Sequence, residues 1–281
     1  MKLGHKTIPY RITSPVRLVA LGDLHVGSST FARRRFKKFM EEQAEIPQTH
    51  FIIMGDVFDA LVVADSKRFR LSNIDKRYFD CPNPDRFLDA QIDDAIELLS
   101  PYSSKILGIL RGNHEDQILK RYNTDMIWQL CDRLGDKTLD LGYSALLYLQ
   151  LKYDSEKNRN TRAIRVFLHH GYGGGSRTEG GAITTYSRFI TYYDADIYLV
   201  GHSHQQWSKK IARVSITRKG DWEDRTIILA NSGTFKKSLV EGVAPSWEET
   251  MGFCPRLLGG VAVEIKLNSG NTYPELSVSD I

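Results

Sequence analysis

The chain has 281 residues, 41% of them hydrophobic and 26% charged, with three cysteines and a formal net charge of +4. That composition is ordinary for a soluble globular protein, allows a sizeable core, and contains no apolar run long enough to cross a bilayer. Cys81, Cys131 and Cys254 show neither disulfide nor CxxC spacing, and the opening MKLGHKTIPYRITSP has no apolar signal segment, so a cytoplasmic protein without membrane contact is expected.

The first apolar run, VRLVALGD from Val16, reads as a buried strand that ends in polar residues. TFARRRFKKFMEE follows, with Ala32, Phe36, Phe39 and Gln43 at helical spacing. An amphipathic helix is expected there, N-capped by Ser29 or Thr30 and carrying Arg33, Arg34, Arg35, Lys37 and Lys38 on its outer face. HFIIMGD is the next strand. Residues 61–84 are basic and aromatic with weak periodicity and read as a surface insert. RFLDAQIDDAIELLS is a second helix, and KILGILRGN a third strand. Strand, helix, strand, helix, strand is the rhythm of βαβ units with parallel pairing. SALLYLQLKYD, the polar tip SEKNRNTR and IRVFLHH come next, then a helical pattern from about Ala182 and the strand DIYLVGHSH. WSKKIARVSITRKG, DRTIILANSG and LGGVAVEIKLNSG complete a β-rich second half, expected to form a second, more antiparallel sheet packed on the first. There is no internal repeat, so a single domain over 1–281 with 61–84 as an insert is the simplest organisation.

The strand ends carry the chemistry. In order they present Asp23 and His25 in GDLH, Asp56 and Asp59 in GDVFD, Asn113 and His114 in GNHE, His169 and His170 in HHG, and His202 and His204 in GHSH. Six of the eight histidines stand in these motifs, leaving His5 and His50 outside. In Asp23-x-His25 and His202-x-His204 the partners are two apart, so in extended backbone they project to one side and can converge. Carboxylate, imidazole and amide donors suit manganese, iron, zinc or nickel better than calcium. The donors exceed what one ion needs, and a carboxylate such as Asp56 can bridge two ions about 3.5–4 Å apart. Taken alone, FLHHGYGGG fits a phosphate-cradling loop, a metal ligand at a strand end, or a turn beside a structural histidine. A glycine loop of the first kind opens a helix directly, which is not the pattern here.

DxH, GDxxD, GNH[DE], HxG and GHxH, in that order from Val16 to Asn231–Phe235, resemble the calcineurin-like metallophosphoesterase superfamily. The resemblance implies an α/β fold, a four-layer α/β/β/α sandwich of two mixed sheets with a dinuclear site at the strand C-terminal edge. It places Asp23, His25, Asp56 and His204 on the first ion, and Asp56, Asn113, His202 and a histidine of HHG on the second. His169 is favoured, because it ends the apolar run directly, with His170 as a substrate contact. His114 would protonate the leaving oxygen or meet transition-state charge, oriented by Asp59, while a hydroxide bridging the ions attacks phosphorus in line. Manganese is the expected metal, with iron, zinc or nickel as alternatives.

LRGNHE also resembles the serine/threonine protein phosphatases, but Ala60 stands where that branch has an arginine. Arg111 is left as a phosphate contact or an ion-pair partner. Arg33, Lys236 and nearby aromatics such as Tyr172 could hold a nucleic-acid backbone and stack bases. GYGGGSRTEGGAITTYSRF loosely resembles phage- and prophage-type members linked to nucleic-acid processing. The expected function is therefore metal-dependent hydrolysis of phosphodiesters, nuclease-type, with DNA or RNA as partner. The alternatives are a phosphomonoesterase and, from another class, a metal-binding scaffold, which would be expected to lack ligands or the GNH histidine.

Overall fold

The computed structural model describes residues 1–11, 13–60, 71–79, 86–153, 161–173, 178–216, 220–241, 247–250, 252–267 and 273–281. Five strands form one sheet: β2 (Val16–Leu21), β3 (Thr49–Ile53), β4 (Ile106–Ile109), β10 (Val261–Lys266) and β11 (Glu275–Asp280), in the order β11-β10-β2-β3-β4. The other sheet holds β1 (Lys2–Tyr10), β5 (Ser144–Tyr153), β6 (Thr161–His169), β7 (Ile197–Val200), β8 (Gln206–Ile216) and β9 (Trp222–Ser232), in the order β1-β5-β6-β7-β9-β8.

Period-two alternation sorts the side chains into layers. Leu18 and Ala20 of β2, Val166 and Leu168 of β6, and Leu199 of β7 face into the core between the sheets. Val19 and Leu21 turn outward to meet Phe36, Phe39 and Met40 of α1 (Arg33–Glu45) and Ile92 and Leu99 of α2 (Phe87–Leu99). On the opposite side Phe167, Tyr198 and Leu229 pack against Ala182 and Tyr186 of α5 (Glu179–Ser187) and Phe189 of α6 (Phe189–Tyr192). Three cores between four layers make the α/β/β/α sandwich.

Several expectations need correction. The second sheet is not the more antiparallel one: β1 pairs with β5, β6 with β7 and β7 with β9 in parallel, and only two of its pairings run antiparallel. LGGVAVEIK does not join it either, since β10 lies antiparallel to β2 in the first sheet. Helix α1 starts at Arg33 with Ala32 at its N-cap and no side-chain cap; the Ser29 hydroxyl instead donates to Ser72 O at 3.0 Å, and the Thr30 hydroxyl bonds that of Ser28 at 2.9 Å. Its basic face is partly neutralised: Arg33 pairs with Asp94 and Glu97 of α2, and Lys37 with Glu97. Of the insert, residues 71–79 form short turns that bury Ile74 and Tyr78 beside Phe87 of α2. Residues 61–70 and 80–84 lie outside the described residues, as does most of SEKNRNTR. Helix α5 begins three residues before Ala182, and among the described residues no helix is long and apolar enough to cross a membrane.

Phe235 ties the last strand-end loop to this frame. It is fully buried, its ring meets Phe36 and Phe39 edge-on at 5.2 and 5.1 Å, and its N–H donates to Asp23 O at 3.2 Å. Phe235→Ala is expected to destabilise the chain by about 3–5 kcal/mol, measured by urea unfolding at fixed pH. A loss below about 1 kcal/mol would mean that the helix α1 layer closes over the gap.

Candidate metal centre

The C-terminal ends of β2, β3 and β4 and of β6, β7 and β9 share one rim, where open α/β sheets place their ligands. There the loops after β2 and β3 stay zipped: the N–H groups of Asp23, His25 and Val26 donate to the carbonyls of Gly55, Asp56 and Val57 at 2.8–3.0 Å. Their side chains do not converge by strand pleating, as the DxH and HxH spacing would have it. Asp23, His25, Asp56, His202 and His204 all have positive φ, between 46° and 69°. Left-handed backbone at non-glycine residues costs about 1–3 kcal/mol each and persists where surrounding bonds over-determine it. Turned loops, rather than extended ones, aim these donors.

Two donor groups result. In the first, His25 Nε2 lies 3.2 Å from His204 Nε2, and His204 Nε2 lies 3.3 Å from Asp23 Oδ1. That Asp23 oxygen is buried without a hydrogen-bond partner of acceptable geometry despite the short approach. In the second, His170 Nε2 is 3.4 Å from Asp56 Oδ2 and 3.1 Å from Asn113 Oδ1, which is 2.8 Å from His202 Nδ1. Asp56 Oδ2 also stands 4.0 Å from His25 Nε2, so this carboxylate lies between the groups. Asp23, His25 and His204, and Asp56, His170 and His202, each offer donor atoms within 4.8 Å of one another.

The far nitrogen of each ring fixes which atom points inward. His25 Nδ1 donates to Asp59 Oδ1 at 3.0 Å, His170 Nδ1 to Met54 O at 2.7 Å, and His202 Nε2 to Gly173 O at 2.6 Å. The remaining nitrogens therefore turn lone pairs toward carboxylate and amide oxygens, which are lone-pair donors too. Such a convergence is stable only around cations, either protons or a metal. The mixed nitrogen and oxygen set fits divalent first-row metals, and the residues present fit the metals that the motifs imply.

Electrostatics agree. Burial opposes charge on His170, but Asp56, Asp23 and the Met54 carbonyl overcome it and raise its pKa to about 10. Burial would raise the carboxyls of Asp23 and Asp56, yet His204 holds the first below its usual value and His170 and His114 hold the second well below. His25 is lowered to about 4 by burial and then by the charge of Lys236. Asp59 falls to about 2: burial works against this, and its bond to His25, together with Lys236, prevails.

Two glycines permit the close approach. A Cβ on Gly112 would sit 2.0 Å from Asp56 Oδ1, and one on Gly171, at φ +118°, would sit 2.6 Å from His202 Cβ. Helix α3 (Asn113–Tyr122) starts directly after Gly112, with Glu115 and Asp116 in its first turn and Lys120 and Arg121 in its last, complementing its dipole. His114, on that first turn, donates from Nδ1 to the backbone carbonyl of Asp59 at 2.8 Å, and its Nε2 is 4.0 Å from Asp56 Oδ2. Asp59 thus orients His114 through its main chain, while its carboxylate orients His25.

His169 does not join the donors. It shares the parity of Phe167, so its ring lies on the outer face, 4.8 Å from Phe189 and 5.5 Å from Tyr143, and its Nδ1 accepts the Gly171 N–H at 2.8 Å. His170, one residue on, takes the inward parity of Leu168 and fills the place expected of His169. Two arginines are also engaged elsewhere: Arg111 with Asp125 at the start of α4 (Met126–Arg133), and Arg33 with α2. Lys236 stays at the site, half-buried, its charge acting on both His25 and Asp59. Residues 174–177 of the glycine-rich loop lie outside the described residues.

Glu115 was not singled out by the motifs. It is buried, its carboxylate accepts the N–H groups of Gly112 and Phe58, and burial followed by the charge of Asp56 raises its pKa to about 8. The signal for it was local: an acidic residue three positions after a helix N-cap.

The profile of the calcineurin-like phosphoesterases matches residues 16–206. Solved structures similar to this chain include a wild-type Vps29 from Entamoeba histolytica complexed with Zn²⁺, at 12% identity over 94% of this chain and 98% of that one, TM-score 0.31. A metallophosphoesterase from Sphaerobacter thermophilus shows 11% identity over 90% and 84%, TM-score 0.36. A predicted phosphoesterase from Streptococcus pneumoniae shows 11% identity over 95% and 90%, TM-score 0.32. A comparison with curated proteins found no match. With more than half of its length matched by the profile, and with candidate ligand clusters at the rim its strands create, the chain belongs to the calcineurin-like phosphoesterase family of metal-dependent hydrolases.

Proposed function

We propose that the chain hydrolyses phosphodiester bonds, nuclease-type, at a centre of two divalent metal ions, with manganese the resident metal and DNA or RNA the substrate. The observation that carries this reading is Asp56, whose Oδ2 lies 3.4 Å from His170 Nε2 in the second donor group and 4.0 Å from His25 Nε2 of the first. Asp23, His25, His204 and Asp56 would hold one ion, and Asp56, Asn113, His170 and His202 the other. When bound, the ions would supply Lewis acidity to the phosphoryl group and acidify water.

The chain's own residues do the rest. His25, His170 and His202 are pre-oriented by Asp59, Met54 O and Gly173 O, so their donor atoms need no reorganisation. His114 is held at Nδ1 by Asp59 O, which leaves Nε2 to give a proton to the leaving oxygen. Lys236 adds a cation beside His25. Among the described residues Arg111 and Arg33 are each in ion pairs, and a lysine beside the donors favours a singly charged diester over a doubly charged monoester, which guanidinium groups grip bidentately.

The test compares a bis-aryl phosphate, a mono-aryl phosphate, single-stranded DNA and duplex DNA as substrates of the manganese-loaded protein. Hydrolysis of the bis-aryl phosphate and of DNA is expected. Activity on the monoester alone would replace the diester reading with a phosphomonoesterase, and inactivity with manganese, iron, zinc and nickel would leave a binding scaffold. His114→Ala should lower kcat on DNA by about 10²–10⁴ and less on the bis-aryl ester, whose leaving group needs little protonation. Equal losses on both substrates would take His114 out of the proton-donor role.

A further inference from the structure

Glu115 is 1% exposed, and its two carboxylate oxygens serve two different loops. Gly112 N–H donates to Oε2 at 2.8 Å, and Phe58 N–H donates to Oε1 at 2.9 Å. The first bond is local and closes the opening turn of α3, as a helix cap does. The second crosses 57 positions of sequence to the loop after β3, two residues beyond Asp56. Gly112 in turn immediately precedes Asn113, so one buried side chain holds the loops that present Asp56 and Asn113.

That loop needs holding. Gly55 and Asp56 have φ of +93° and +46°, a conformation that relaxes unless the surroundings fix it. The Gly112 backbone is already packed against Asp56, and His114 N–H donates to Asp56 Oδ1 at 3.0 Å. Glu115 adds a buried carboxylate bond that reaches past Asp56 from α3, beside the bond of His114 Nδ1 to Asp59 O. We propose that Glu115 is a positioning residue that clasps the Asp56 and Asn113 loops at their working separation, and so sets the affinity of the centre for its metal. The inference rests on the metal-dependent reading above. A helix cap alone would change stability; a clasp also changes metal binding.

The experiment titrates Mn²⁺ into the full chain by isothermal calorimetry, with Mn²⁺ electron paramagnetic resonance as a second readout, for wild type, Glu115→Gln and Asp125→Ala. Glu115→Gln keeps the volume and one acceptor but turns an NH2 group to the other N–H. It should bind Mn²⁺ about 10–100-fold more weakly, with an unchanged circular dichroism spectrum. Asp125→Ala removes the N-cap of α4 and the partner of Arg111. It should lower Tm and leave Mn²⁺ affinity within about twofold, the pattern of a merely structural change. Should Glu115→Gln fail to fold, Glu115→Asp, too short to span both N–H groups, is read by the same titration and the same threshold. Mn²⁺ binding by the variant within about twofold of wild type overturns the clasp and leaves the phosphoesterase reading intact. A wild type that binds no Mn²⁺ overturns both.

Discussion

Asp56→Asn is expected to lower kcat/KM on a diester by about a thousandfold or more, and to reduce the manganese retained after desalting from two ions toward one or none. The substitution is nearly isosteric, and it keeps an oxygen to accept the His114 N–H that now bonds Oδ1 at 3.0 Å. What it removes is the negative charge at Oδ2, which lies 3.4 Å from His170 Nε2 and 4.0 Å from both His25 Nε2 and His114 Nε2. In the proposed assignment every other ligand holds a single ion, so losing one of them weakens one ion. Losing the shared carboxylate weakens both and deprives the phosphoryl group of Lewis acidity worth several kcal/mol, at about 1.4 kcal/mol per factor of ten. Metal analysis of the purified variant beside steady-state kinetics at saturating manganese checks this. A variant that keeps two ions and wild-type kcat/KM would remove Asp56 from the bridging position and with it the argument for a dinuclear centre.

Much of this was legible because strand-end chemistry and buried periodicity are both local signals. VRLVAL, HFII and IYLV are short apolar runs whose neighbours are helical or polar, and each forms a strand that ends where a ligand motif begins. The edge strands β1 and β11 were missed, since KLGHKTIPY and ELSVSD expose half or more of their side chains and owe their form to pairing with β5 and β10. Ion pairing was likewise invisible: the basic run at Arg33–Lys38 resembles a nucleic-acid face until α2 brings Asp94 and Glu97 against it. The left-handed backbone at Asp23 and His25 has no sequence signature, because their spacing of two fits a strand equally well. Which HHG histidine faces the donor group, by contrast, could have been read. Ile164, Val166 and Leu168 share one parity, and continuing it two steps reaches His170, whereas His169 continues Phe167.

That parity leads to the second large effect. His170→Asn should weaken manganese binding at its donor group by about a hundredfold and reduce kcat/KM by at least as much, while His169→Asn should change neither by more than about threefold. Both variants preserve the outer hydrogen bond: an asparagine amide can donate to Met54 O in place of His170 Nδ1, and its oxygen can accept the Gly171 N–H in place of His169 Nδ1. Protons give an independent readout. In the metal-free chain the His170 pKa stands at about 10 against 6.5 for an ordinary histidine, so its contribution to stability is complete below pH 6.5 and is lost as pH rises through about 10. A metal can use His170 Nε2 only after that proton leaves. Binding should therefore release a proton from His170 below pH 10 and tighten as pH rises from 6.5 toward 10. His169, lowered to about 4 by burial and the neighbouring His170, is neutral across that window and has no proton to give; its stabilising contribution is present above pH 6.5 and is lost as pH falls through about 4. Calorimetric titration in buffers of different ionisation enthalpy counts the protons released. His170→Asn should remove one of them at pH 8 and His169→Asn none, and the reverse outcome would return the ligand to His169 and require the end of β6 to rotate by one residue.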